Sequence, residues 1–157
     1  MHNLIVVDLQ PEFIGKNKDS YNRILDFIKS SHYDKIFATR FVPGNKNFKD
    51  RLHFELSTGA VSQLEFEYDV LFDKTGYGLS DDQYKAFNKD HVYDIVGCGT
   101  DACILKIAMD MFDRGNHFYV LSDYVFTNSD SGDAALKILK RNVGDCVASE
   151  HIWLSNM

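Results

Sequence analysis

The sequence predicts a three-layer α/β/α sandwich built on a mainly parallel, roughly six-stranded Rossmann-like sheet. Three observations carry that reading. β-branched runs alternate with helical stretches from one end of the chain to the other, and such alternation implies right-handed crossovers and a sheet covered by helices on both faces. The 157 residues match one domain, residues 1–157, able to bury roughly 70% of the surface of the unfolded chain. No internal repeat or low-complexity segment interrupts the pattern.

"NLIVVD" is a β-branched run ending in an acid, and the "QPEF" behind it stops the first strand near Asp8. "DSYNRILDFIKSS" places Tyr21, Ile24, Leu25, Phe27 and Ile28 on one broad helical face, and "DKIFATRF" follows as the second strand. From Pro43 to about Glu67 the periodicity is poor, with "PGNKN" a turn and "DRLHFELS" one helical segment. "YDVLFDK" is the third strand, and "SDDQYKAFNKD" a short helix in which Ser80 and Gln83 form a capping box. "HVYDIVGC" is the fourth strand and "TDACILKIAMDMFDRG" a helix closed by Gly115, since glycine accepts the left-handed conformation that ends helices. "HFYVLSD" is the fifth strand, "SGDAALKILKRN" a further helix, "DCVAS" a brief sixth strand and "EHIWLSN" a terminal helical turn.

Composition removes several functional classes. Apolar residues make up 45% and charged residues 25% of the chain, which is ordinary globular composition, and no apolar run approaches the ~20 residues of a membrane span. The amino terminus lacks the basic region, long apolar stretch and cleavage site of a signal peptide. Three cysteines in no paired spacing argue against a disulfide framework. A soluble, cytoplasmic protein with free thiols is expected, without a membrane partner. The formal net charge is −6, with basic residues scattered among acidic ones, so a nucleic-acid partner is not expected.

In parallel sheets functional groups gather beyond the carboxyl ends of the strands, and the richest such place is "IVGCGTDACIL", residues 95–105. It admits two readings. Gly97, Gly99 and Ala102 fit a G-x-G-x-x-A dinucleotide turn, with Asp123 near the position of a ribose-binding acid. Against this, Asp101 would point a carboxylate at the pyrophosphate, and too little chain follows Asp123 for the rest of a dinucleotide half. The other reading makes Cys103 a nucleophile in the first turn of a helix, its thiolate favoured by free N–H groups, the helix dipole and a nearby cation. Lys74 then supplies the cation and Asp8 the base, both at strand ends. Each residue alone also has a plain structural role: a small core cysteine, a capping aspartate, a solvated lysine.

Taken in order, "VVDLQPEF", "DKTGYG" and "GCGTDACILKIAMDMFDRGNHFYVLSD" resemble the isochorismatase-like cysteine hydrolases, the group that contains nicotinamidase and related amidases. That family has an aspartate after the first strand in a D-x-Q-x-x-F setting, a lysine after the third and G-x-x-T-x-x-C after the fourth. Asp8, Lys74 and Cys103 match in type and order. The resemblance implies a catalytic triad of these three, a non-proline cis peptide at Cys98–Gly99, and an oxyanion hole from the Gly99 and Cys103 N–H groups.

Phe13 and Tyr77 are candidate pocket residues, and Cys146 is expected in the core. Zinc-containing nicotinamidases resemble one another in an aspartate-tryptophan-histidine segment after the second strand and a later histidine. Here that region is "TRFVPGNKNFKDRLHF", with Arg40 and Phe41 where the segment would begin and His53 as a lone surface or lid histidine. Neither a metal nor another cofactor is expected, since a catalytic zinc wants three protein ligands. Isochorismate-cleaving members generally lack the cysteine, so its presence favours acyl transfer. The expected function is metal-independent hydrolysis of a C–N bond in a small amide-like substrate through a thioester, in a homo-oligomer. The alternative is a catalytically silent binding or assembly subunit of the same fold.

Overall fold

The computed structural model describes residues 1–56 and 61–149. Its sheet holds six strands in the order β3-β2-β1-β4-β5-β6, every neighbouring pair parallel: β1 His2–Val7, β2 Lys35–Phe41, β3 Val70–Lys74, β4 Val92–Cys98, β5 His117–Phe126 and β6 Val147–Ala148. The three-layer architecture follows from alternation along β1. Ile5 and Val7 face a core shared with Ile107, Met111 and Leu139, whereas Leu4 and Val6 face Tyr21, Ile24 and Ile28. Residues one apart on a strand point to opposite faces, so α4 (Leu105–Asp113) and α5 (Gly132–Val143) cover one side and α1 (Lys18–Ser30) the other. Burying each large aliphatic side chain contributes about 1.5–3 kcal/mol. The middle and end of β1 are enclosed, Leu4 to Val7 being 0% exposed. Among the described residues no helix is long and apolar enough to cross a membrane.

Most elements lie where the sequence puts them, and the capping box is formed, Ser80 accepting from Gln83 N and Gln83 Oε1 from Ser80 N at the start of α3 (Asp81–Lys85). Three boundaries differ. The helix expected from "DRLHFELS" is instead α2, Lys46–Leu52. It starts earlier because the Asn45 side chain accepts from Asn47 N, and it stops at His53, whose φ of 53° is left-handed. β5 runs on to Phe126 rather than stopping at Asp123, because its register against β4 jumps from Ile95–Val120 to Gly97–Val125 and a bulge absorbs the polar residues between. The helix expected from Thr100 opens as a wide turn, Thr100–Ile104, with Ile104 N donating to Gly99 O at 3.1 Å, before α4 begins. The expected terminal helical turn and Ser57 lie outside the described residues.

The strand order reverses between β1 and β4, one arm running through β2 to β3 and the other through β5 to β6. A crevice opens at such a reversal, beyond the carboxyl ends of the strands. Gly97 permits it: its φ is +120°, and a Cβ there would lie 2.1 Å from Val7 O. Only glycine lets β4 approach β1 so closely.

Candidate active site

The crevice holds Asp8, Lys74 and Cys103 in mutual contact. Asp8 follows β1 with a left-handed φ of 48°, which aspartate tolerates better than most residues. Its N–H donates to Thr39 O and Thr39 Oγ1 at 3.2 and 3.1 Å, and the Thr39 hydroxyl donates back to Asp8 Oδ1 at 2.7 Å. Thr39 thus orients the carboxylate. Lys74 ends β3, and its ammonium lies 2.8 Å from Asp8 Oδ2, 2.8 Å from Gly76 O and 3.2 Å from Cys103 Sγ. Those three acceptors use its three N–H groups, and Lys74 Nζ also sits 5.4 Å from the centre of the Phe41 ring.

Burial opposes the Lys74 charge, but Asp8 and Cys103 more than offset it and hold its pKa above the ordinary lysine value. Cys103 stands the other way round. Burial first, then the Asp8 carboxylate, push its pKa up to about 12, with Lys74 pulling only partly against them. Burial and the Asp8 carboxylate thus act against the thiolate expected at a helix start. The wide turn at Thr100–Ile104 does not overcome the desolvation of a sulfur beside a carboxylate. Cys98 is 4% exposed, donates to Asp8 O at 3.2 Å, and burial raises its pKa well above normal. Cys146 is partly buried against the α4–α5 core.

A cavity of about 320 Å³ opens onto Asp8 and Cys103. Phe13 and Tyr77 both line it, with Phe41, Phe48 and Phe54 completing an aromatic wall. Phe48 packs against Phe41 and Tyr77 with ring centres 4.9 and 5.2 Å apart, and Phe13 stacks on Phe54 at 6.2 Å. The lining also has a polar part, formed by Asp101, Thr127, Asn128 and Ser129. Gly99 lines the cavity at the Cys98–Gly99 peptide, which is cis as the resemblance implies. Exposed His53 and Asp123 stand apart from it.

Sequence reasoning gave Gln10 only as the glutamine of the D-x-Q-x-x-F setting, without a role; Gln10 is 0% exposed and bonded to the Phe41 backbone at both ends of its amide, Phe41 N to Oε1 at 2.7 Å and Nε2 to Phe41 O at 3.1 Å. Sequence reasoning missed Thr39 and the polar lining around Asp101. A polar residue at an inward position of an apolar strand was the available signal for Thr39; nothing local marked the pairing of Asp101 with residues more than twenty positions away.

A fold with this strand order, carrying an Asp after its first strand, a Lys ending its third and a Cys in the turn after its fourth, belongs to an identifiable class. The isochorismatase domain model matches residues 2–151, and the chain belongs to that family. Comparison by sequence with curated proteins finds no match. Among solved structures, PnC1 from L. infantum in complex with nicotinate is similar with a TM-score of 0.75 at 17% identity, covering 97% of this chain and 94% of its own. The pyrazinamidase of Pyrococcus horikoshii in complex with zinc is similar with a TM-score of 0.74 at 20% identity, over 94% of this chain and 97% of its own. The nicotinamidase SaPncA from Staphylococcus aureus reaches a TM-score of 0.64 at 24% identity, over 96% and 98%.

The zinc of the second relative prompts a test of the residues here. Arg40, after which a metal-binding segment would begin, is held bidentately by Asp73 at 2.8 and 3.0 Å, and Phe41 is buried among aromatic rings. Among the described residues no three His, Cys, Asp or Glu side chains converge to hold a metal ion.

Proposed function

We propose that this protein is a cysteine hydrolase that cleaves the C–N bond of a small amide-like substrate through a thioester, with Asp8, Lys74 and Cys103 as its catalytic residues and no metal step. The observation that carries this reading is the single ammonium of Lys74, 2.8 Å from the carboxylate and 3.2 Å from the sulfur at the floor of an apolar cavity.

Because Cys103 rests as a thiol, its proton leaves only as the new bond forms. Asp8 accepts that proton while Sγ attacks the carbonyl carbon, and the oxyanion is received by the Gly99 and Cys103 N–H groups. Asp8 then returns the proton to the leaving nitrogen, the C–N bond breaks, and ammonia or amine departs from the thioester. Water next gives a proton to Asp8 as its oxygen attacks the thioester; the sulfur leaves and is reprotonated by Asp8, releasing a carboxylic acid. Lys74 stays charged throughout. It stabilises the Asp8 carboxylate and the nascent thiolate in turn, which lowers the cost of creating charge in a desolvated site. Three free thiols suit a reducing compartment, and the cytoplasm is the proposed location.

The test is incubation with a panel of small amides, reading ammonia or amine release and trapping the acyl-enzyme by mass spectrometry. Release that disappears in Cys103→Ala, with an acyl mass on the Cys103 peptide, is the expected result, and exhaustive chelation should leave rate and melting temperature unchanged. No release and no adduct on a wide panel would favour a catalytically silent subunit. A chelator-induced loss restored by zinc would remove metal independence.

A further inference from the structure

On the polar side of the cavity the Thr127 and Ser129 hydroxyls have no proton left for a ligand, whereas Asp101 can still accept. Thr127 Oγ1 donates to Asp101 Oδ1 at 2.7 Å and Ser129 Oγ donates to Asp101 Oδ2, so both hydroxyl protons are committed to the carboxylate. The same hydroxyl oxygens accept backbone N–H groups, Ser129 N on Thr127 and Ser131 N on Ser129. The Asn128 amide is also engaged, its Nδ2 donating to Phe13 O and its Oδ1 accepting from Asn17 Nδ2, each at 2.8 Å. Each Asp101 oxygen keeps a lone-pair site after these bonds. Burial works against its charge, but the bonds from Ser129 and Thr127 prevail and hold its carboxyl below the usual range.

No described residue lining the cavity is Lys, Arg or His, and Lys74, 3.2 Å from Cys103 Sγ, has all its donors taken. The Asp8–Lys74 pair is neutral as a unit, so Asp101 leaves the cavity with a net negative charge. The same cavity presents the rings of Phe13, Phe41, Phe48, Phe54 and Tyr77. Aromatic faces attract cations and do nothing for anions.

Resting on the amidase reading of the site, we infer that the substrate is a small amide whose non-reacting end carries a cationic or N–H-donating group, an ammonium above all, held between Asp101 and the aromatic wall. Anionic substrates are rejected, because a second carboxylate would meet Asp101 in a cavity that no described Lys, Arg or His side chain lines. Asp101 is a specificity residue here: it reads the far end of the substrate while Cys103, two residues on, attacks the near end.

The experiment uses three amides alike in ring and amide and different only at the para position: 4-(aminomethyl)benzamide, 4-methylbenzamide and 4-carboxybenzamide. The expected kcat/KM order is cationic over neutral over anionic, with about tenfold or more between the first two, as one charge-assisted hydrogen bond provides. In Asp101→Asn the cationic-to-neutral ratio should collapse toward one. Equal or reversed preference in the wild type overturns the proposal, and so does a ratio that survives in Asp101→Asn, which would leave Asp101 only the task of tying down Thr127 and Ser129. Should Asp101→Asn fail to fold, the wild-type order decides. If no amide is turned over, the hydrolase reading falls, and binding decides the inference: benzylammonium, benzyl alcohol and benzoate are compared by thermal shift on wild-type protein. Stabilisation by benzylammonium alone supports an ammonium site, and none, or stabilisation by benzoate, overturns it.

Discussion

Asp8 and Lys74 face each other across 2.8 Å with both side chains 2% exposed. A buried ion pair adds little net stability, but losing one partner leaves the other charge uncompensated in a dry place, at a cost of about 3–5 kcal/mol. Lys74→Ala should therefore lower the melting temperature by roughly 6–20 °C as well as turnover. Asp8→Asn should cut turnover by on the order of a hundredfold or more through loss of the proton acceptor. The double variant Asp8→Asn with Lys74→Ala, which has no orphaned charge, should be more stable than Lys74→Ala alone. Thermal melts of the two read this directly, and an equal deficit would mean that lost packing, not the orphaned charge, is responsible.

The Cys103 thiol gives stability a pH dependence. Its pKa is raised from about 9 to about 12, so the folded protein retains a proton that the unfolded chain releases. That contribution to stability is fully present below about pH 9 and is lost as pH rises toward 12. Lys74, also raised, acts in the same direction. Melting temperature should fall steeply in this range for the wild type and less steeply for Cys103→Ala. Iodoacetamide labelling of Cys103, followed by peptide mapping, should still be accelerating above pH 9; a plateau near pH 8 would mean that Lys74 outweighs burial and holds a thiolate. Cys98, at 4% exposure, should label last.

The parts legible in the sequence were those set by local pattern. Strand and helix periodicity, the Ser80–Gln83 box and the positions of Asp8, Lys74 and Cys103 at strand ends all follow from nearest-neighbour rules. What escaped depended on distant pairing. α2 rests on one Asn45 cap rather than on a strong apolar period, and the extension of β5 depends on its register against β4. The Cys103 pKa is a property of burial and of Asp8, to which helix-start reasoning is blind.

Gly97 and Gly76 should respond in opposite ways to alanine. At Gly97 a Cβ would fall 2.1 Å from Val7 O at a φ of +120°. Left-handed strain and overpacking, each about 1–3 kcal/mol, together predict a loss of about 2–6 kcal/mol or failure to fold. At Gly76 a Cβ meets nothing within 4 Å, so Gly76→Ala should unfold within about 1 kcal/mol of wild type. Denaturant titrations of the two compare them under one condition. A well-folded Gly97→Ala would show that β1 and β4 can part without loss, against the close approach that shapes the crevice.

Gln10 is the remaining residue whose role lies wholly in tertiary structure. Its amide continues the β1–β2 ladder past the end of β1, pairing with both backbone groups of Phe41, and so fixes the ring beneath Lys74 Nζ. Gln10→Ala leaves a buried N–H and a buried C=O unpaired, about 1–3 kcal/mol each. Gln10→Glu keeps the acceptor for Phe41 N but sets a carboxylate oxygen against Phe41 O in a fully buried position. It should be the more damaging of the two near neutral pH despite its closer shape, and should recover in acid, where a protonated Glu can donate to Phe41 O. Melting curves of both variants at pH 5 and pH 8 test the ordering: a Gln10→Glu protein as stable as wild type at pH 8 would mean that Gln10 merely fills space beside β2.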